Sequence, residues 1–152
     1  MHVKLRIYLD TSVISACVDP RDPIRQEVTR EFWARLSSYE AHVSPLVLQE
    51  IEDTADVSRR DEMGALVRPL VVLPWTDEME RLSERYIEAG AFSPAMRQDA
   101  QHVAACTVAG LSVLLSWNFR HLVNRSRRIR VNLVNSQEGY EQVEILAPPE
   151  LE

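Results

Sequence analysis

Asp10, Glu50 and Asp99 are the residues of this chain whose type and setting could do chemistry, each a carboxylate in otherwise apolar or helix-forming surroundings. Such oxygen donors suit hard divalent cations, Mg2+ or Mn2+, which retain waters able to attack a phosphodiester. Spacing leaves a second reading open, in which Asp10 caps a turn, Glu50 is a solvated helical residue and Asp99 favours a helix start through the dipole. Thr11 and Ser116 would set hydroxyls beside such a cation, with turn capping the alternative for Thr11. His102 follows Asp99 by three residues on the same helical face, where it contacts a substrate phosphate, orients Asp99 or simply packs. Trp117 is a base-stacking or a core residue. Arg120, Arg125, Arg127, Arg128 and Arg130 crowd one stretch, as a phosphate-contacting rim or as a solvated helix face.

The elements that must position these groups follow from periodicity. Val3, Leu5, Ile7 and Leu9 alternate with Lys4, Arg6 and Tyr8, which predicts a strand that stops at Asp10-Thr11-Ser12. A turn at Asp19-Pro20-Arg21-Asp22-Pro23 precedes a helical face of Val28, Phe32, Leu36 and Tyr39. A short strand from Ala41 to Ser44 leads into a helix capped by Ser44, with Pro45 in its first position, that runs through Glu50 to about Asp53. Ser58 to Val67 is predicted helical, and Leu70 to Leu73 is predicted to be a strand buried on both faces. Asp77 to Ala89 forms a helix closed by Gly90, and Ser93-Pro94 opens another that Gly110 closes. A strand from Ser112 to Ser116, a helix from Arg125 to about Gln137 and a strand from Val143 to Leu146 complete the chain.

Strands alternating with helices imply an α/β fold around a parallel sheet, whose sites lie outside the carboxyl ends of the strands near a switch in strand order. Asp10 ends the first strand, Glu50 lies a turn into the helix after the second, and Ser116-Trp117-Asn118 ends the strand that the Asp99 helix feeds.

Composition bounds the rest. A chain of 152 residues, 45% hydrophobic and 26% charged, fits one domain over residues 1–152. Its 17 Lys and Arg against 23 Asp and Glu give a net charge of −6, which excludes a polybasic nucleic-acid binder but leaves room for a local basic patch. The most apolar run, Val103 to Leu115, falls short of the ~18 residues of a membrane span, so no membrane partner is expected. Lys4 and Arg6 before Ile14-Ser15-Ala16-Cys17 are similar to a lipoprotein signal, but Asp10 would oppose insertion, so a mature first strand is expected. Cys17 and Cys106 stand far apart without a zinc-type pattern, as in a protein of the reducing cytoplasm. Ser12 stands where an aspartyl-phosphate enzyme would carry a second aspartate, and 4 glycines build no phosphate loop.

Four segments carry a family resemblance: Ile7-Tyr8-Leu9-Asp10-Thr11-Ser12-Val13-Ile14, Ser44-Pro45-Leu46-Val47-Leu48-Gln49-Glu50, Asp99-Ala100-Gln101-His102-Val103-Ala104 and Leu114-Leu115-Ser116-Trp117-Asn118-Phe119. In this order they resemble the motifs of PIN-domain proteins, and most of all the bacterial ones related to VapC-type toxins, whose terminal region is similar to Val131 through Gly139 and on to Pro148. The resemblance implies a three-layer α/β/α sandwich with a mainly parallel sheet. It further implies Asp10, Glu50 and Asp99 as ligands of Mg2+ or Mn2+, Asn118 as a fourth site position, and RNA cut by a metal-activated water. Beside these, the residue types and spacing read above make Thr11, Ser116, His102, Arg120, Arg125, Arg127 and Arg128 the expected substrate contacts. A small antitoxin protein and a homodimer are the partners implied. Asn118 stands where many active members carry a fourth acid. The alternative is therefore a catalytically weak or inactive RNA-binding or regulatory protein of the same fold.

Overall fold

Apolar segments alternate with capped helices, and the chain folds accordingly. The structure, a computed structural model, describes residues 3–151. In order, the elements are β1 (Leu5–Leu9), α1 (Thr11–Val18), α2 (Pro23–Ala34), β2 (Tyr39–Val43), α3 (Pro45–Glu52), α4 (Val57–Val67), β3 (Val71–Val72), α5 (Asp77–Glu88), α6 (Arg97–Val108), β4 (Val113–Leu115), α7 (Arg125–Gln137) and β5 (Glu144–Leu146). Side-chain caps start every one of these helices but α6: Ser44 accepts from Leu46 N at 3.2 Å ahead of Pro45, and Asn124 accepts from Arg127 N at 2.8 Å. Gly90 and Gly110, with φ of +78° and +74°, supply the left-handed turns that end α5 and α6.

The five strands form one parallel sheet in the order β3-β2-β1-β4-β5. Neighbouring residues of a strand face opposite ways, yet Ile7, Tyr8 and Leu9 of β1 and Val113, Leu114 and Leu115 of β4 are all buried, so both sheet faces are covered. One helical layer has α1 packed against α2 and α4, and α3 against α4, while α5 packs against α6 and α7 in the other. Among the described residues no helix is long and apolar enough to cross a membrane.

Three elements differ from expectation. Residues 11–18 form a helix, α1, where sequence suggested only a strand end and a turn; its buried Val13, Ile14 and Cys17 make a one-sided apolar face. Helix α2 stops at Ala34, and Tyr39 instead opens β2, where its ring stacks on Phe32 at 6.0 Å after the chain has reversed. Strand β3 is not buried on both faces: it pairs only with β2 at the sheet edge, and Val71 and Val72 stay 47% and 45% exposed.

Candidate active site

The sheet reverses its order between β1 and β4, where a parallel α/β sheet opens a crevice at its carboxyl edge. Leu9 pairs with Leu115, so Asp10 and Ser116 leave that edge side by side, and Asp10 N donates to Leu115 O at 3.0 Å. Asp10 then serves as the N-cap of α1. Its buried carboxylate accepts from Ser116 Oγ at 2.6 Å and from Ser12 Oγ at 3.2 Å. The same two hydroxyls accept from the following backbone: Ser12 Oγ from Trp117 N at 2.9 Å, and Ser116 Oγ from Asn118 N at 3.0 Å. One pair of serines thus fixes the carboxylate and the loop after β4 together.

Each of the other two carboxylates is held by a histidine. Glu50 Oε1 accepts from His102 Nε2 at 2.5 Å, while His102 Nδ1 meets the Tyr8 hydroxyl at 2.7 Å. Tyr8 in turn bonds the Ser44 hydroxyl at 2.7 Å, and Ser44 caps the helix that carries Glu50. This buried chain therefore begins and ends on α3, locking it to β1 and α6. Burial alone would lower the His102 value, but the Glu50 hydrogen bond and the charges of Asp10, Glu50 and Asp99 outweigh it and hold the imidazole above its usual range. Asp99 Oδ2 lies 3.1 Å from His121 Nδ1, and His121 N donates to Asn118 Oδ1 at 2.9 Å. Burial pushes the Asp99 carboxyl up, the Asp10 charge adds to this, and His121 opposes it.

Asp10, Glu50, Asp99 and Asn118, with Thr11 and His102, line one cavity of about 310 Å3. Among the described residues no three Asp, Glu, His or Cys side chains stand close enough to hold one ion as they are arranged. Glu50 is turned to His102 and Asp99 to His121, so a shared ion requires those pairings to yield or be shared. The donor chemistry does fit a hard cation: three carboxylates, an amide and the buried Thr11 hydroxyl, which has no hydrogen-bond partner among the described residues, face one space. Mutual repulsion within that space is the cost a cation would relieve.

The arginines divide. Arg127 lies over the Phe92 ring at 4.5 Å and donates to His121 O and to Ala91 O. Arg128 donates to Ile145 O at 2.8 Å and pairs with Glu150 at 3.6 Å. Both guanidinium groups are spent on the fold, not presented as a phosphate rim, because a half-buried cation must find acceptors within the protein. Arg120 and Arg125 are exposed. Sequence reasoning missed Ser12, His121, Tyr8 and Ser44 as members of the site. His121, three residues beyond Asn118, was detectable as an Asx-type turn closed on the site motif.

The fold is similar to that of VapC20 from Mycobacterium tuberculosis, a Sarcin-Ricin loop cleaving toxin, with a TM-score of 0.61 and 18% identity over 91% of this chain and 98% of that one. It is also similar to VapBC2 from Rickettsia felis, solved bound to a DNA fragment from their promoter, with a TM-score of 0.56 and 8% identity over 93% and 97% of the two chains. No curated protein matches the sequence. The sequence pattern of the PIN domain matches residues 7–121, a span that holds Asp10, Glu50, Asp99 and Asn118, and the chain therefore belongs to the PIN domain family.

Proposed function

We propose that this protein is a divalent-metal-dependent endoribonuclease. The observation that carries the reading is the convergence of Asp10, Glu50 and Asp99, with Asn118, on one cavity at the sheet's switch point. Asp10, Glu50 and Asp99 would hold Mg2+ or Mn2+, and when bound the cation neutralises the phosphodiester and activates the attacking water. Ser12 and Ser116 fix the Asp10 carboxylate, while His102 and His121 hold Glu50 and Asp99 at the cavity and would share them with the cation when it binds. Arg120 and Arg125 supply positive charge to steer RNA toward a molecule of net charge −6.

The test is cleavage of single-stranded RNA by the purified protein with Mn2+ or Mg2+, against Asp10→Asn. This change removes ligand charge but keeps the shape that Ser12 and Ser116 hold. Cleavage is expected to fall about a hundredfold or more with the melting temperature nearly unchanged. Equal cleavage by the variant, in preparations freed of contaminating nuclease, would overturn the assignment.

The biological reading is the toxin half of a toxin-antitoxin pair, acting in the cytoplasm as a homodimer with a small antitoxin partner. Likeness to the fold of the VapC20 toxin and of the VapBC2 complex supports it. Expression should arrest growth, a short DNA-binding protein encoded immediately upstream should relieve the arrest, and Asp10→Asn should not cause it. A second reading, an RNA-binding module that cleaves weakly or not at all, is favoured by Asn118, which brings no charge and whose amide oxygen already accepts from His121 N. RNA binding without cleavage at any Mn2+ concentration would select it.

A further inference from the structure

We infer that the cavity next to the carboxylates is a nucleobase subsite, which receives one unpaired base of the RNA strand whose phosphodiester lies at Asp10, Glu50 and Asp99. The inference rests on the ribonuclease reading and adds to it how the strand is gripped. This second cavity, of about 360 Å3, shares Ser12, Ser15 and Asn118 with the first, so a strand occupying one abuts the other.

Its wall includes an indole and a planar cation. Trp117 is fixed by its Nε1 bond to Thr29 Oγ1 at 2.9 Å, and Arg25, one turn earlier on α2, lays its guanidinium over the indole at 4.8 Å. Phe119 meets the indole edge at 6.0 Å and stands 5.8 Å from the same guanidinium, with 48% of its surface in solvent. The indole with its planar cation lines the cavity and the half-exposed Phe119 ring, tilted 67° to the indole, stands at its rim, and bases of single-stranded RNA stack on such aromatic and guanidinium faces. The Arg25 guanidinium makes no hydrogen bond among the described residues and has only Asp22 within ion-pair reach, at 3.8 Å, so its donors remain for a base or a phosphate. The acidic groups of this wall are already spent. Asp19 is paired with Arg21 at 2.7 Å, and Asp22 accepts from Arg25 N as the cap of α2.

The test uses full-length Asp10→Asn protein and short single-stranded oligoribonucleotides with 2-aminopurine placed at successive positions. Binding should quench the fluorophore at one position. Phe119→Ala should abolish that quench and weaken binding about tenfold. Arg25→Lys, which keeps the charge and loses the plane, should do the same, with melting temperatures confirming that both variants fold. Binding with no quenched position, or quench and affinity unchanged in both variants, would overturn the subsite and leave the ribonuclease reading standing. If the Asp10→Asn protein binds no RNA and the wild type cuts none, both fall together.

Discussion

His102 is 2% exposed, yet both its ring nitrogens are engaged, one by Glu50 and one by Tyr8. On the reading proposed above, it positions a carboxylate. His102→Gln leaves one or both of those buried partners unsatisfied and should cost ~1–3 kcal/mol of stability. Because Glu50 is released, the Mn2+ concentration for half-maximal cleavage should rise as well. A loss of stability with an unmoved metal midpoint would reduce His102 to a packing residue. Asn118 makes the opposite case, a site position lacking charge. Asn118→Asp keeps the acceptor for His121 N and adds a fourth carboxylate to the cavity. The metal midpoint should therefore fall, and the melting temperature of the metal-free protein should fall too, through repulsion from Asp10 and Asp99. Parallel Mn2+ titrations and melts of wild type and variant measure both. If neither moves, Asn118 does not share the cation's environment.

At the scale of elements, the arginines of and before α7 differ in what they touch. Arg127 joins α7 to the loop after β4 through His121 O and to the α5–α6 connection through Ala91 O and the Phe92 ring. Arg127→Ala should lower the melting temperature and leave the salt dependence of RNA binding alone. Changing Arg120 and Arg125 to Ala should do the reverse, cutting the slope by ~0.7 per lost phosphate contact on a single strand, ~1.4 together, without loss of stability. A reduced slope for Arg127→Ala with unchanged melting would return that residue to the RNA-contacting rim.

For the whole molecule, the site is a concentration of negative charge held inside an acidic protein, and pH exposes its cost. Asp99 has a folded-state value above that of a free carboxyl, chiefly through burial and then through Asp10. The fold therefore favours the protonated form: that contribution is complete below the free value of ~3.9 and is lost as pH rises through the higher folded value. Asp99→Asn cannot ionise, so the metal-free variant should gain in melting temperature on the wild type as pH rises through that window. A difference independent of pH would show that Asp99 ionises in the fold at no cost. Saturating Mn2+ should stabilise the wild type more than the variant, since the cation neutralises the charge that burial penalises.

Period-two alternation in β1, the Ser44-Pro45 start of α3 and the glycines after α5 and α6 were legible in the sequence because each acts within a few residues along the chain. So was the placement of Asp10, Glu50, Asp99 and Asn118 at one edge, since alternating strands and helices bring every strand's carboxyl end to the same side. Partner choice was not legible. The spacing offered His102 to Asp99, three residues before it, but packing of α3 against the sheet gave His102 to Glu50, 52 residues away, and left Asp99 to His121. Burial likewise turned Arg127 and Arg128 inward from a helix whose sequence suits either a solvated face or an RNA contact. The exposed pair in β3 follows from strand order alone, for an apolar run is the same run at the centre of a sheet and at its edge. Local pattern specifies what each segment can become. Only the pairing of distant segments decides which charges share a cavity and which side chains neutralise them.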